Sequence, residues 1–259
     1  MKKPKVVILC GGKGTRLQEE TEFKPKGLVA IGEKPILWHI MKTYAHYGFN
    51  DFILCLGYKG ELIKDFFLRY NTNTHDFNLS LKNKQIDIYD NNIEDWNIIF
   101  ANTGYKSETG SRIKQIEKYI KEDHFFMTYG DGLCDVNIKD LLKFHLKHGK
   151  IGTVTAVRPI AKLGKLNLHD DVIVDFTKKP LKQEGRIDGG FCVFRKEFFK
   201  YLSSDEGCIL EDKPLKELTR DREFRAYKHD GFWQCMDTIA QTQYLNSLWD
   251  KGEALWKVW

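Results

Sequence analysis

Along the chain, short runs of apolar residues alternate with longer stretches in which apolar positions recur every three or four residues. Residues 6–10 ("VVILC") are unbroken hydrophobic and stop at Gly11-Gly12, the pattern of a buried parallel strand that feeds a glycine turn. Residues 35–47 ("PILWHIMKTYAHY") have helical spacing, with Pro35 at the start and Gly48 as a C-terminal stop. Residues 51–56 ("DFILCL") predict a second strand. Residues 59–70 predict a second amphipathic helix with Ile63, Phe66 and Phe67 on one face. Residues 77–101 read as two or three strands around polar turns, and 111–120 as a helix. Another buried strand, 124–128, runs into Tyr129-Gly130-Asp131-Gly132. This alternation predicts an α/β fold with a mostly parallel central sheet flanked by helices.

Ligands of open α/β sheets sit beyond the carboxyl ends of the strands. The glycine loop after the first strand and Asp131 after the later one should therefore face one crevice. From Gly152 the texture changes: "GTVTAV", "KLNL", "VIVDF" and "GGFCVF" predict short strands in a smaller, more antiparallel region. The tail from Ile239 reads as a helix followed by "ALWKVW". The chain is read as one domain over 1–259, with a core over about 1–150 and a second region over about 151–259.

Composition narrows the function classes. The net charge is +5 over 259 residues, and lysines are interspersed with acids, which argues against a dedicated nucleic-acid surface and for a small anionic ligand in a locally basic pocket. None of the six cysteines forms a C-x-x-C pair, so zinc is a poor reading and a reducing compartment a good one. No apolar stretch approaches the length of a membrane span and no secretory signal is visible, so the expected location is the cytoplasm.

Three signals carry candidate chemistry. In Gly11-Gly12-Lys13-Gly14-Thr15-Arg16, glycines let backbone N–H groups approach an anion, and the planar fork of Arg16 can chelate phosphate. The loop is neither a Walker A motif nor the dinucleotide G-x-G-x-x-G, so a nicotinamide-dependent oxidoreductase is disfavoured; alone, it also reads as a plain βα turn. Lys24-Pro25-Lys26 puts a stiffened lysine near that loop, although such lysines are usually solvated. Asp131 and Asp237 offer two carboxylates of the kind that hold Mg²⁺ with substrate phosphates. Taken singly, Asp131 also reads as a turn former and Asp237 as a helix N-cap.

Together, "GGKGTRL", "KPK", "GEKPILWHIMKTY", "YGDG" and "GFWQCMDT" resemble the sugar-1-phosphate nucleotidyltransferase family, and within it most closely the cytidylyltransferases. The matching features run from about Val6 to the terminal "LWKVW". The resemblance implies a Rossmann-like nucleotidyltransferase fold with a nucleotide-binding core and a sugar-binding region. It implies CTP and a sugar phosphate, first of all glucose 1-phosphate, as partners, Mg²⁺ as cofactor, and a homo-oligomer. Gly11, Gly12, Gly14, Thr15 and Arg16 would cradle the triphosphate, Lys26 would meet phosphates at the reaction centre, and Arg112 in "TGSR" would help hold the nucleotide. Asp131 and Asp237 would bind Mg²⁺, with Arg16, Lys26 and Asp131 catalytic; Lys179, Asp188 and Gly189 would serve the acceptor.

Departures from the family pattern cluster on the acceptor side. Lys178-Lys179-Pro180 stands for Glu-Lys-Pro, Asp188-Gly189-Gly190 for Asn-Gly-Gly, and "KGLVAIG" for "KPMVEIG", which places Gly27 and Ala30 where Pro and Glu are usual. They raise the alternative of a different phosphate ester as acceptor. A non-catalytic nucleotide-binding homologue is a further alternative, against which the joint presence of Arg16, Lys26, Asp131 and Asp237 argues.

Overall fold

The structure, a computed structural model, describes residues 2–89, 94–158, 165–169, 172–177 and 185–259. Its centre is a seven-stranded sheet. The strands are β1 (Lys5–Leu9), β2 (Asp51–Leu56), β3 (Asn97–Asn102), β4 (His124–Tyr129), β6 (Gly152–Val157), β7 (Ile187–Arg195) and β8 (Phe224–Lys228), in the order β8-β6-β7-β4-β1-β2-β3. A short strand β5 (Gly132–Cys134) follows β4 in the chain and pairs with β9 (Trp233–Cys235) outside the main sheet. Within the main sheet only β7 runs against its neighbours; β1, β2, β3 and β4 are parallel, and β6 pairs in parallel with β8. The second half of the chain thus contributes the antiparallel pairings of the main sheet, yet two of its four predicted short strands, β6 and β7, extend that sheet, joined by β8, which the apolar pattern does not predict. The backbones of Lys165–His169 and Val172–Thr177 form a separate antiparallel hairpin.

Alternation along the strands explains the burial of both faces. Val6 and Ile8 of β1, Phe52, Leu54 and Leu56 of β2, and Phe126 of β4 pack on one side. Val7 and Leu9, Ile53 and Cys55, and Phe125 and Met127 pack on the other. A strand apolar at every position has no solvent face, so helices must cover both. The first face receives α1 (Ile36–His46), α4 (Ile138–His148) and α6 (Ile239–Asp250), through Ile40, Leu141 and Leu245 among others. The second receives α3 (Thr109–Gln115) and α5 (Lys213–Arg220), through Ile113 and Leu218. Helix α2 (Gly60–Leu68) buries Ile63.

The predicted helix at 111–120 divides into α3 and a 3-10 turn at Glu117–Tyr119. Helices α4 and α5 are not among the elements that the apolar pattern predicts. At the C-terminus, Trp256 is fully buried against Phe232 and Trp249, and the Trp259 ring lies 5.8 Å from Trp38, so this tail packs into the fold itself. Among the described residues, no helix is long and apolar enough to cross a membrane. All six cysteines are free thiols.

Candidate active site

The strand order β3-β2-β1-β4 makes the chain leave β1 and β4 at neighbouring points, and their carboxyl ends are the place where such sheets hold ligands. Leu9 sits opposite Tyr129, and Gly130 N–H donates to the Leu9 carbonyl at 2.9 Å, which ties the two exit loops together. Above them lies an open cleft of about 360 Å³. Gly11, Gly12, Gly14, Thr15, Arg16, Lys26, Arg112, Asp131 and Asp237, nine of the twelve site residues expected from sequence, all line it.

The glycine loop is shaped for close approach. A Cβ on Gly11 would lie 2.3 Å from the Arg112 guanidinium, and Gly14 has φ +64°, a left-handed conformation that favours glycine. The N–H groups of Gly12, Gly14 and Thr15 have no acceptor among the described residues, which leaves them available to an anion.

Arg112 is almost wholly buried. Its guanidinium donates to the carbonyls of Leu56, Gly104 and Gly11 at 3.1, 2.8 and 3.1 Å and to Thr103 Oγ1 at 2.9 Å. Burial lowers its pKa. The side chain braces the loops after β1, β2 and β3 from below, a role the sequence motif does not reveal.

The centre of the cleft is ionic. Lys26 Nζ donates to Asp131 Oδ2 at 2.6 Å and to Asp237 Oδ1 at 2.5 Å, and Arg16 pairs with Asp237 Oδ2 at 2.8 Å. Burial works to lower the Lys26 pKa, but the two carboxylates outweigh it and the net shift is upward, so the ammonium stays charged. Lys24, by contrast, is half-buried, does not line the cleft and pairs with Glu20 at 2.9 Å. Thr238, not Asp237, caps α6: its hydroxyl and the Gln241 side chain form a reciprocal capping box. Asp237 is therefore free of the N-cap role and turns its carboxylate into the cleft.

The acceptor candidates stand beside this centre. Asp188 and Gly189, at the start of β7, line a side cavity of about 60 Å³ that also touches Tyr129, Asp131 and Trp233. Asp188 accepts the Gly190 N–H at 2.7 Å, and Gly189 accepts the Trp233 indole N–H at 2.8 Å. Desolvation raises the Asp188 carboxyl, the Gly190 N–H opposes this, and nearby Glu211 adds to it. Lys179, with Lys178, lies outside the described residues. Of the other departures, Gly27 lines the cleft, whereas Ala30 is exposed in the small hairpin Ala30–Ile31/Lys34–Pro35.

Tyr129, Thr109 and Glu211 also line the cleft. The Tyr129 hydroxyl donates to Glu211, and Thr109 donates to the same carboxylate at 2.8 Å. None of the three is among the site residues expected from sequence, although Tyr129 lies in "YGDG" and Thr109 in "TGSR"; Glu211 lies in "LEDKPL", one acid among surface charges.

Comparison with known proteins agrees with this fold. The chain is 43% identical over 256 residues to the glucose-1-phosphate cytidylyltransferase of Salmonella typhimurium, covering 98% of this chain and 99% of that one. Its fold matches HddC from Yersinia pseudotuberculosis with a TM-score of 0.69 at 22% identity, over 95% of this chain and 100% of that chain. It matches UDP-glucose pyrophosphorylase complexed with UDP-glucose with a TM-score of 0.68 at 17% identity, over 96% and 99% of the two chains. The family model described as nucleotidyl transferase matches residues 5–236, and the chain belongs to that family of enzymes.

Proposed function

We propose that this enzyme transfers CMP from CTP to glucose 1-phosphate, giving CDP-glucose and pyrophosphate. The observation that carries the reading is the meeting of Arg16, Lys26, Asp131 and Asp237 at the end of a glycine loop whose Gly12, Gly14 and Thr15 N–H groups have no acceptor among the described residues. The 43% identity to a glucose-1-phosphate cytidylyltransferase over nearly the whole chain supports the choice of nucleotide and acceptor. In this reading residues 1–150 hold the nucleotide and 151–259 supply much of the acceptor side.

A sugar phosphate oxygen attacks the α-phosphorus in line; the new P–O bond forms as the bond to pyrophosphate breaks. No covalent enzyme intermediate is required, so catalysis is positioning and charge neutralisation. The N–H groups of Gly12, Gly14 and Thr15 receive the triphosphate, Arg16 chelates it, and Lys26 neutralises charge that builds on the α-phosphate. Arg112 keeps the loop in shape. Asp188, Gly189 and Lys179 meet the acceptor.

The carboxylates of Asp131 and Asp237 converge on one point, since a single ammonium lies within 2.6 and 2.5 Å of them. Two hard oxygen donors converging beside a phosphate site fit Mg²⁺. Asp131 and Asp237 would hold it, and the ion when bound neutralises phosphate oxygens and orients them for in-line displacement. A homo-oligomer in the cytoplasm belongs to the same reading; Trp256, being fully buried within the chain, is not the surface that would form it.

The test is pyrophosphate release from purified protein with Mg²⁺, using CTP, UTP, dTTP, ATP and GTP with glucose 1-phosphate and then with a panel of other phosphate esters. Fastest release is expected from CTP with glucose 1-phosphate. Release with CTP from another ester only would overturn the acceptor, and fastest release with another nucleotide would overturn the base.

A further inference from the structure

Among the described residues, the rim of the cleft on the side of β4 toward β7 presents hydrogen-bond acceptors, and Tyr129 and Thr109 there spend their donors on Glu211. Glu211 has two hydroxyls as hydrogen-bond partners, Tyr129 on one oxygen and Thr109 on the other at 2.8 Å. Burial, then Glu211 itself, pushes the Tyr129 phenol far up, so its proton stays in place and is given to Glu211. Thr109 also gives its proton to Glu211, and its oxygen accepts the Leu210 N–H at 2.8 Å. A carboxylate oxygen has more lone pairs than one such bond uses, and a phenol that donates still has a lone pair. What faces the cleft here is therefore acceptor-only and anionic.

Such a wall repels a phosphate, which is itself anionic and acceptor-only, and suits a neutral group rich in O–H donors. Tyr129 lines both the main cleft and the side cavity shared with Asp188, Gly189 and Trp233. The wall thus adjoins the acceptor side, beyond Asp131 from the glycine loop. Within the cytidylyltransferase reading, on which this step rests, the neutral donors that come there are the ring hydroxyls of the sugar.

We propose that Glu211 is a specificity-determining residue that accepts hydrogen bonds from ring hydroxyls of the sugar phosphate acceptor, held in place by Tyr129 and Thr109. The nucleotide also carries donors, the ribose hydroxyls and the cytosine amine, and the test separates the two sources.

Wild type and Glu211→Gln are compared for kcat and KM with glucose 1-phosphate at saturating CTP, and for CTP affinity by calorimetry without acceptor. Both proteins are also assayed with a series of monodeoxyglucose 1-phosphates. The expected result is a KM for glucose 1-phosphate raised on the order of 10–100-fold, the scale of a lost hydrogen bond to a charged group, with CTP affinity unchanged. One deoxy analogue should lose the same factor with wild type and react equally to the parent sugar with Glu211→Gln. Unchanged kcat/KM for glucose 1-phosphate would overturn the proposal. So would a shift in CTP affinity with an unchanged acceptor KM, which would put ribose or base against Glu211. If Tyr129→Phe reproduces every effect and no deoxy analogue loses its sensitivity, Glu211 only positions Tyr129 and the proposal fails. Failure of the underlying reading shows separately, as wild type that releases no pyrophosphate from CTP and glucose 1-phosphate; the variant is then scored with whichever panel ester reacts.

Discussion

Replacing Arg112 by methionine should damage the protein before any nucleotide is present. The guanidinium makes four hydrogen bonds, to Leu56, Gly104 and Gly11 carbonyls and to Thr103 Oγ1. Two of these carbonyls have other donors: Gly11 accepts the Tyr58 N–H at 3.0 Å, and Leu56 accepts the Thr103 N–H at 3.0 Å. Gly104 has no second donor among the described residues and is left orphaned. One orphaned carbonyl and lost charged hydrogen bonds argue for a loss, while relief of a buried charge argues for a gain; about 2–4 kcal/mol of net destabilisation is expected. For a chain of this size that is a fall in Tm on the order of 10 °C.

The assay is thermal unfolding of the nucleotide-free protein, with CTP binding by calorimetry beside it. Arg112→Lys should fall between wild type and Arg112→Met, because a point charge cannot span the fork's partners. Gly11→Ala should act through the same contact, since its Cβ would lie 2.3 Å from Arg112 NH1, and the double variant should cost less than the sum. An Arg112→Met protein that melts with wild type while binding CTP weakly would refute the brace and make Arg112 a direct nucleotide contact.

Asp131→Ala and Lys26→Ala should each lower turnover by at least ~100-fold in a pyrophosphate-release assay, the scale of one key electrostatic contact; wild-type rates in both would remove them from the site. Lys26→Met should also bind Mn²⁺ more tightly than wild type in the absence of nucleotide, measured by electron paramagnetic resonance, because Asp131 and Asp237 then lack the ammonium that now bridges them. Acid should weaken the fold through His39 and His145, which burial above all holds down to about 4 and about 3. The His39 ring accepts from Trp256 at 3.3 Å and faces the Ile31 carbonyl at 2.9 Å, so a second ring proton would meet an N–H. These depressed values give stability that is fully present above the unfolded pKa of about 6.5 and falls with pH toward the folded values, at about 1.4 kcal/mol per unit for each histidine. Urea unfolding at pH 7.5 and 5.0 checks this; equal stability at both would contradict it. Trp256→Ala should cost about 3–5 kcal/mol by chemical denaturation, since the ring is fully buried against Phe232 and Trp249.

Much of the core is legible in the sequence because parallel strands covered on both faces need unbroken apolar runs, as at Val6 to Leu9 and Phe52 to Leu56. The exit loops are legible for a related reason: glycine is required wherever backbone comes as close as Gly11 does to Arg112. What was hidden is what depends on long-range assembly. Phe191 to Phe194 reads as one more short strand, and nothing local says that it inserts antiparallel beside β4. For Arg112 the resemblance implies a hand in holding the nucleotide, but nothing in "TGSR" tells of its burial and its four protein acceptors. Asp237 lies 211 residues from Lys26, so their pairing belongs to the fold and to no motif. The same pairing bears on how the site works. Arg16 and Lys26 balance Asp131 and Asp237 within one cluster. A triphosphate brings the negative charge that can draw both cations away, and only then are the two carboxylates free for a divalent ion. Metal and nucleotide should therefore bind cooperatively, each favouring the other by the same factor. Calorimetric titration of CTP with and without Mn²⁺, and of Mn²⁺ with and without CTP, should yield that common factor in wild type and a smaller one in Lys26→Met, and equal factors in the two proteins would show that the lysine does not couple them.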